Sequence, residues 1–162
     1  MKRGAGEADD NFSGALKYAL RLLGYRDRSL SEMRQKLTAK GFLPDVVERT
    51  LSYMEERALI DDRKLAELLK RDAVETRHLG ARGVRNYLVR RGIAKDMADA
   101  MSAAHDDYLG TAMRLAEKKV SSMRHLDDGT IKRRLWGLLA RRGFSPDEIQ
   151  QVIKEIIKED GI

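Results

Sequence analysis

Residues Leu88–Met97 read LVRRGIAKDM, two arginines running into a glycine with an aspartate four residues beyond it. The chain writes the phrase twice more, as LTAKGFLPDV from Leu37 to Val46 and as LARRGFSPDE from Leu139 to Glu148. Gly41, Gly92 and Gly143 stand at a constant interval of 51 residues, and a fixed interval marks an array of repeated supersecondary units. Aligned on the glycine without a gap, the apolar columns are Met33, Val84 and Leu135, then Leu37, Leu88 and Leu139, then Phe42, Ile93 and Phe144. Farther on, Val47, Ala98 and Ile149 align, as do Thr50, Met101 and Val152. Steps of three and four are helical spacing, so each phrase predicts a helix, a turn and a second helix.

The ends of these helices carry their own signals. Glycine after the last periodic residue takes the left-handed conformation of a helix C-cap at no steric cost. Ser29 with Glu32, and Ser145 with Glu148, have the spacing of capping boxes, and Pro44 and Pro146 suit the first helical position. Upstream of each pair lies a further amphipathic stretch: Ala15 to Leu23, Leu65 to Val74 and Leu109 to Val120. No segment alternates with period two over a strand's length. The expected fold is all-α, nine helices in three tandem three-helix repeats over residues 15–62, 63–108 and 109–159. Neighbouring repeats should bury one another's apolar faces in an elongated array that can curve. Residues 1–14 are expected to be disordered.

Composition narrows the function classes. With 36% of the 162 residues charged and no long apolar run, neither a membrane span nor a membrane partner is expected. The N-terminus lacks the apolar core of a secretory signal, and zero cysteines exclude disulfides and thiolate metal sites, so a cytoplasmic protein is expected. His78, His105 and His125 have no companions at ligand spacing, and no nucleophile-base constellation or phosphate loop can be named. The expectation is a non-enzymatic protein, monomeric, without metal or cofactor.

A formal charge of +6 favours polyanionic partners, and the two signs separate within each repeat. The middle helices of the second and third repeats carry Arg77, Arg82, Arg85, Arg90 and Arg91, then Lys132, Arg133, Arg134, Arg141 and Arg142, with no acid from Arg77 to Gly92 or from Ile131 to Gly143. After each glycine the sign turns: Asp96 to Asp107 holds four acids and no lysine or arginine. At about 100° per residue, Arg90 and Arg141 fall opposite the apolar stripe, while Arg91 and Arg142 fall at its edge near the helix C-terminus. A cation there is favoured by the helix dipole without any ligand, yet the excess of arginine suits recognition of phosphate or carboxylate. These ten cations are the candidate contacts to nucleic acid or to a protein partner. Tyr87 and Trp136, on the same helices, are either core residues or stacking platforms for bases.

LRLLGYRDRSLSEMRQKLTAKGF, from Leu20 to Phe42, resembles the opening signature of the RecX family of recombination regulators. IDDRKLAELLKRDAVETRHLGARGVRNYLVRRGI, from Ile60 to Ile93, is similar to that family's central unit, with Leu65 where an aromatic is usual and Ala81 near a usual proline or glycine. The resemblance covers about residues 15–158. It implies a regulator that binds the RecA recombinase and its filament on single-stranded DNA, with DNA itself as a further partner, and that limits filament growth, ATP hydrolysis and strand exchange. Two other readings compete with it: a duplex reader using the helix-turn-helix pairs, and a helical scaffold that binds only proteins.

Overall fold

The computed structural model describes residues 4–104 and 107–160. All regular structure among them is helical: α1 (Gly4–Leu23), α2 (Leu30–Lys40), α3 (Pro44–Glu56), α4 (Asp62–Glu75), α5 (Ala81–Arg90), α6 (Lys95–Ala103), α7 (Tyr108–Val120), α8 (Asp128–Arg141) and α9 (Pro146–Asp160). None of these helices is long and apolar enough to cross a membrane. The chain divides into two compact units. The first runs through Leu65 and takes in the turn Arg91–Ile93; the second holds Ala66–Arg90 and the chain from Ala94 onward.

In the first unit α1, α2 and α3 pack on one another around Ala15, Ala19, Met33, Leu37, Val47, Leu51 and Met54. In the second, α5 pairs with α6, and α7, α8 and α9 pack together. Most repeat columns are buried in both units: Met33, Val84 and Leu135, like Leu37, Leu88 and Leu139, are fully inaccessible, whereas Phe42 and Met101 are half-buried. Truncating any of these leucines to alanine removes about 2–5 kcal/mol of packing.

The three glycines are left-handed, with φ of 99°, 81° and 85° at Gly41, Gly92 and Gly143. Both foreseen capping boxes form. Ser29 Oγ accepts the Glu32 N–H at 3.1 Å and the Ser29 N–H donates to the Glu32 carboxylate at 3.3 Å. Ser145 and Glu148 exchange the same bonds at 3.3 and 2.7 Å. Two further caps escaped the sequence reading: the carboxylates of Asp107 and Asp127 accept the N–H groups of Gly110 and Thr130 at 2.8 and 2.9 Å, opening α7 and α8.

Where disorder was expected over residues 1–14, helix α1 already begins at Gly4; residues 1–3 lie outside the described residues. The physical reason is visible one turn before Ala15. The Phe12 ring meets the Tyr53 ring edge-on at 5.5 Å and carries the Arg49 guanidinium 4.4 Å from its centroid, tying this part of the helix to α3.

Candidate nucleic-acid and partner interface

The ten candidate cations fall into two groups of different character. Five are engaged within the fold. Arg91, in the turn that belongs to the first unit, donates to the Glu32 carboxylate at 3.1 Å and to the Asp27 carbonyl at 3.1 Å. Arg77 donates to Asp72 at 2.7 Å and lies 4.6 Å from the centroid of the Tyr87 ring, whose hydroxyl donates to the same carboxylate oxygen at 3.1 Å. This contact holds the Asp72 carboxyl below its ordinary range, the Arg77 hydrogen bond being the main cause. Arg82 donates to the Ala140 carbonyl at 3.2 Å, Arg142 to the Arg77 carbonyl, and Arg85 pairs with Asp99.

Arg90, Lys132, Arg133, Arg134 and Arg141 form the other group. All five side chains are exposed, and no hydrogen-bond or ion-pair partner for them occurs among the described residues. Four of the five stand on α8. Arginine at the edge of the stripe, one residue before the glycine, is therefore a packing device at Arg91 and Arg142. The position one residue earlier, Arg90 and Arg141, is the one turned to solvent. Sequence position alone separated edge from outer face, but it could not show which carboxylates and carbonyls would lie within reach of the edge.

The glycine turns explain why those edge arginines are engaged. In the second unit the Gly80 N–H donates to the Arg142 carbonyl at 2.9 Å and the Arg82 N–H to the Gly143 carbonyl at 3.2 Å, so the α8–α9 turn lies directly on the start of α5. A Cβ on Gly83 would stand 2.2 Å from the Arg142 oxygen. In the first unit a Cβ on Gly92 would stand 2.2 Å from Ser29 Oγ, the cap of α2. The same contact is thus made twice, turn against the N-terminus of a middle helix.

Charge regularities link middle and third helices as well. Arg34 donates to Glu48 at 2.7 and 3.0 Å across α2 and α3, and Arg85 to Asp99 across α5 and α6. Both pairs span fourteen residues. One basic residue of the middle helix is therefore paired with one acid of the third helix in each of the first two repeats, while α8 carries four exposed cations.

Tyr87 is held by Asp72 and Arg77, which makes it structural, whereas Trp136 is 44% exposed. Among the described residues no group of three His, Cys, Asp or Glu could hold a metal ion, and His105 lies outside them.

Glu32 supplies a pH-dependent element. Burial pushes its carboxyl up, but hydrogen bonds from Arg26 and Arg91 outweigh this and hold it below its ordinary value of 4.5. A carboxyl depressed in the folded state contributes stability that is full above its unfolded pKa and is lost as pH falls through the folded one. Asp62, which accepts the Leu30 N–H at 2.9 Å, is pushed up by burial and acts in the opposite sense. Glu32→Gln is expected to flatten the acid limb of the stability profile below about pH 4.5 relative to the parent chain, as read from urea unfolding between about pH 3 and 7.

These features define a class: an all-α repeat protein with exposed, unpaired cations on one helix and left-handed glycine turns that lie against the N-terminus of a middle helix within each unit. The sequence matches the family description "RecX, first three-helix domain" over residues 15–54 and "RecX, third three-helix domain" over residues 106–153. It is 31% identical over 156 residues to the regulatory protein RecX of Amycolatopsis mediterranei, covering 94% of this chain and 89% of that one. To the regulatory protein RecX of Pelodictyon phaeoclathratiforme it is 28% identical, covering 92% of each. The crystal structure of RecX from Lactobacillus salivarius superposes with a TM-score of 0.81 at 25% identity, over 91% of this chain and 97% of that one. The chain belongs to the RecX family of regulatory proteins.

Proposed function

We propose that this chain is a non-enzymatic cytoplasmic regulator of the RecA recombinase, acting as a monomer. It binds RecA and the RecA filament on single-stranded DNA and limits filament growth, ATP hydrolysis and strand exchange. The observation that carries the reading, beside membership of the family, is the row of exposed and unpaired cations on α8: Lys132, Arg133, Arg134 and Arg141. A filament offers two acceptors for such a row, the phosphates of its strand and acidic protein surface, and arginine forks suit both. Arg90 joins this set on α5; Arg77, Arg82, Arg85, Arg91 and Arg142 act by shaping the fold around it.

A duplex reader would place the helix after each glycine in the major groove. That helix carries Asp45, Asp96 or Asp147 in its first turn, and phosphates flanking the groove repel a carboxylate placed there. The test is ATP hydrolysis by RecA on single-stranded DNA, with the chain titrated in and filament mass followed by light scattering. Inhibition at less than one chain per RecA, with loss of filament mass, is the expected result. Unchanged hydrolysis by the matched RecA, in a sample whose helicity is intact, would overturn the proposal.

A further inference from the structure

The third repeat breaks a rule that the first two keep. Arg34 pairs with Glu48, and Arg85 with Asp99, at corresponding positions of the middle and third helices. Fifty-one residues beyond the second pair, the same two positions hold Trp136 and Gln150. An ion pair has been exchanged for an indole and an amide, and the two residues line an open cleft of about 380 Å³ together with Gly129, Lys132, Arg133 and Ile153. No other ring and no cation lies over Trp136 among the described residues, and the indole stays 44% exposed. An indole so exposed leaves apolar surface in water that an arginine at this position would not.

Each part of the exchange suits one ligand chemistry. The exposed aromatic face offers a stacking surface. Lys132 and Arg133 on its rim add positive charge, and no acid lines the cleft. Gln150 removes the carboxylate that Glu48 and Asp99 place at this position, where it would repel a phosphate. An acidic peptide would be drawn to the cations but has no flat face to lay on the indole. Duplex DNA keeps its base faces within the stack. We propose that the Trp136 cleft binds single-stranded nucleic acid, with one unpaired base stacked on the indole and the adjoining phosphates met by Lys132 and Arg133. The site deepens the proposed function and rests on its assignment of α8 to the strand or its filament.

Trp136 is the only tryptophan of the chain, so its fluorescence reports the cleft directly. The experiment titrates the full chain with a deoxythymidine oligomer, with an abasic oligomer of the same length and charge, and with the corresponding duplex. Only the deoxythymidine oligomer is expected to quench strongly. Trp136→Ala should weaken binding of that oligomer, followed by anisotropy of a labelled strand, roughly ten-fold, the scale of one stacked base. Trp136→Phe should restore part of the loss, which shows that a face and not mere bulk is required. Equal quenching by the abasic oligomer, quenching by an acidic peptide in place of the strand, or unchanged affinity in Trp136→Ala would overturn the stacking site. RecA hydrolysis measured on the same samples separates the two claims. Inhibition intact without quenching overturns the cleft alone, whereas quenching intact without inhibition upholds the cleft and overturns the regulatory reading.

Discussion

Gly143→Ala is expected to destabilise the protein by about 3 kcal/mol or more, and Gly41→Ala by only about 1 kcal/mol, although both glycines close the same turn of the repeat. The two share the left-handed backbone, with φ of 85° and 99°, and therefore share the penalty of placing a Cβ there. What differs is the space. A Cβ on Gly143 would stand 2.1 Å from the Gly83 nitrogen and 2.7 Å from its Cα, and neither backbone atom can move without disturbing the bonds from Gly80 to Arg142 and from Arg82 to Gly143. Around Gly41 nothing lies within 4 Å of the added atom. Gly92→Ala falls between them, because its near neighbour at 2.2 Å is the Ser29 hydroxyl, which can rotate away but gives up the cap of α2 when it does. Urea unfolding followed by circular dichroism ranks the three. Equal losses at all three glycines would mean that the turns only reverse the chain and do not seat against a neighbouring helix.

The difference among the glycines marks the border of what the sequence made legible. The interval of 51, the left-handed turns and both capping boxes are local or periodic features, and a linear reading reaches them. Whether a turn seats on something is a property of the packed chain, and LTAKGF and LARRGF look alike in this respect. The same holds for the arginines: Arg91 and Arg90 are neighbours in sequence, and only the fold shows that one meets Glu32 while the other faces water. The alignment on glycine already stacks Arg34, Arg85 and Trp136 in one column and Glu48, Asp99 and Gln150 in another, with the charge lost from both in the third repeat. Reading columns for apolar residues alone passes over a co-ordinated exchange of polar ones. The upstream part of α1 was missed for a different reason. Its sequence is rich in glycine and acid and has no repeat partner, and the contact of Phe12 with Tyr53 joins residues 41 positions apart, beyond the reach of local periodicity.

Replacing Lys132, Arg133 and Arg134 together by alanine is expected to weaken binding to single-stranded DNA, or to the RecA filament on it, on the order of 100-fold at low salt while leaving the fold intact. The three side chains are exposed and have no hydrogen-bond or ion-pair partner among the described residues, so their removal breaks no polar contact of α8. Each cation that meets a phosphate displaces a condensed counterion. The slope of log affinity against log salt should therefore become shallower by about 2, at roughly 0.7 per contact on a single strand. Arg91→Ala is the informative contrast. It removes the hydrogen bonds to Glu32 and Asp27 inside the first unit and is expected to lower stability by about 1–2 kcal/mol with the salt slope unchanged. Reversing Arg90 and Arg91 together would mix these effects, because it alters an outward cation and a structural one at once. A triple variant that keeps the parent slope would assign α8 to an acidic protein surface and not to phosphate, since release of condensed counterions belongs to the polyelectrolyte. The sign of charge on α8 suits both acceptors, and the salt dependence distinguishes them because only one of the two is a chain of regularly spaced charges.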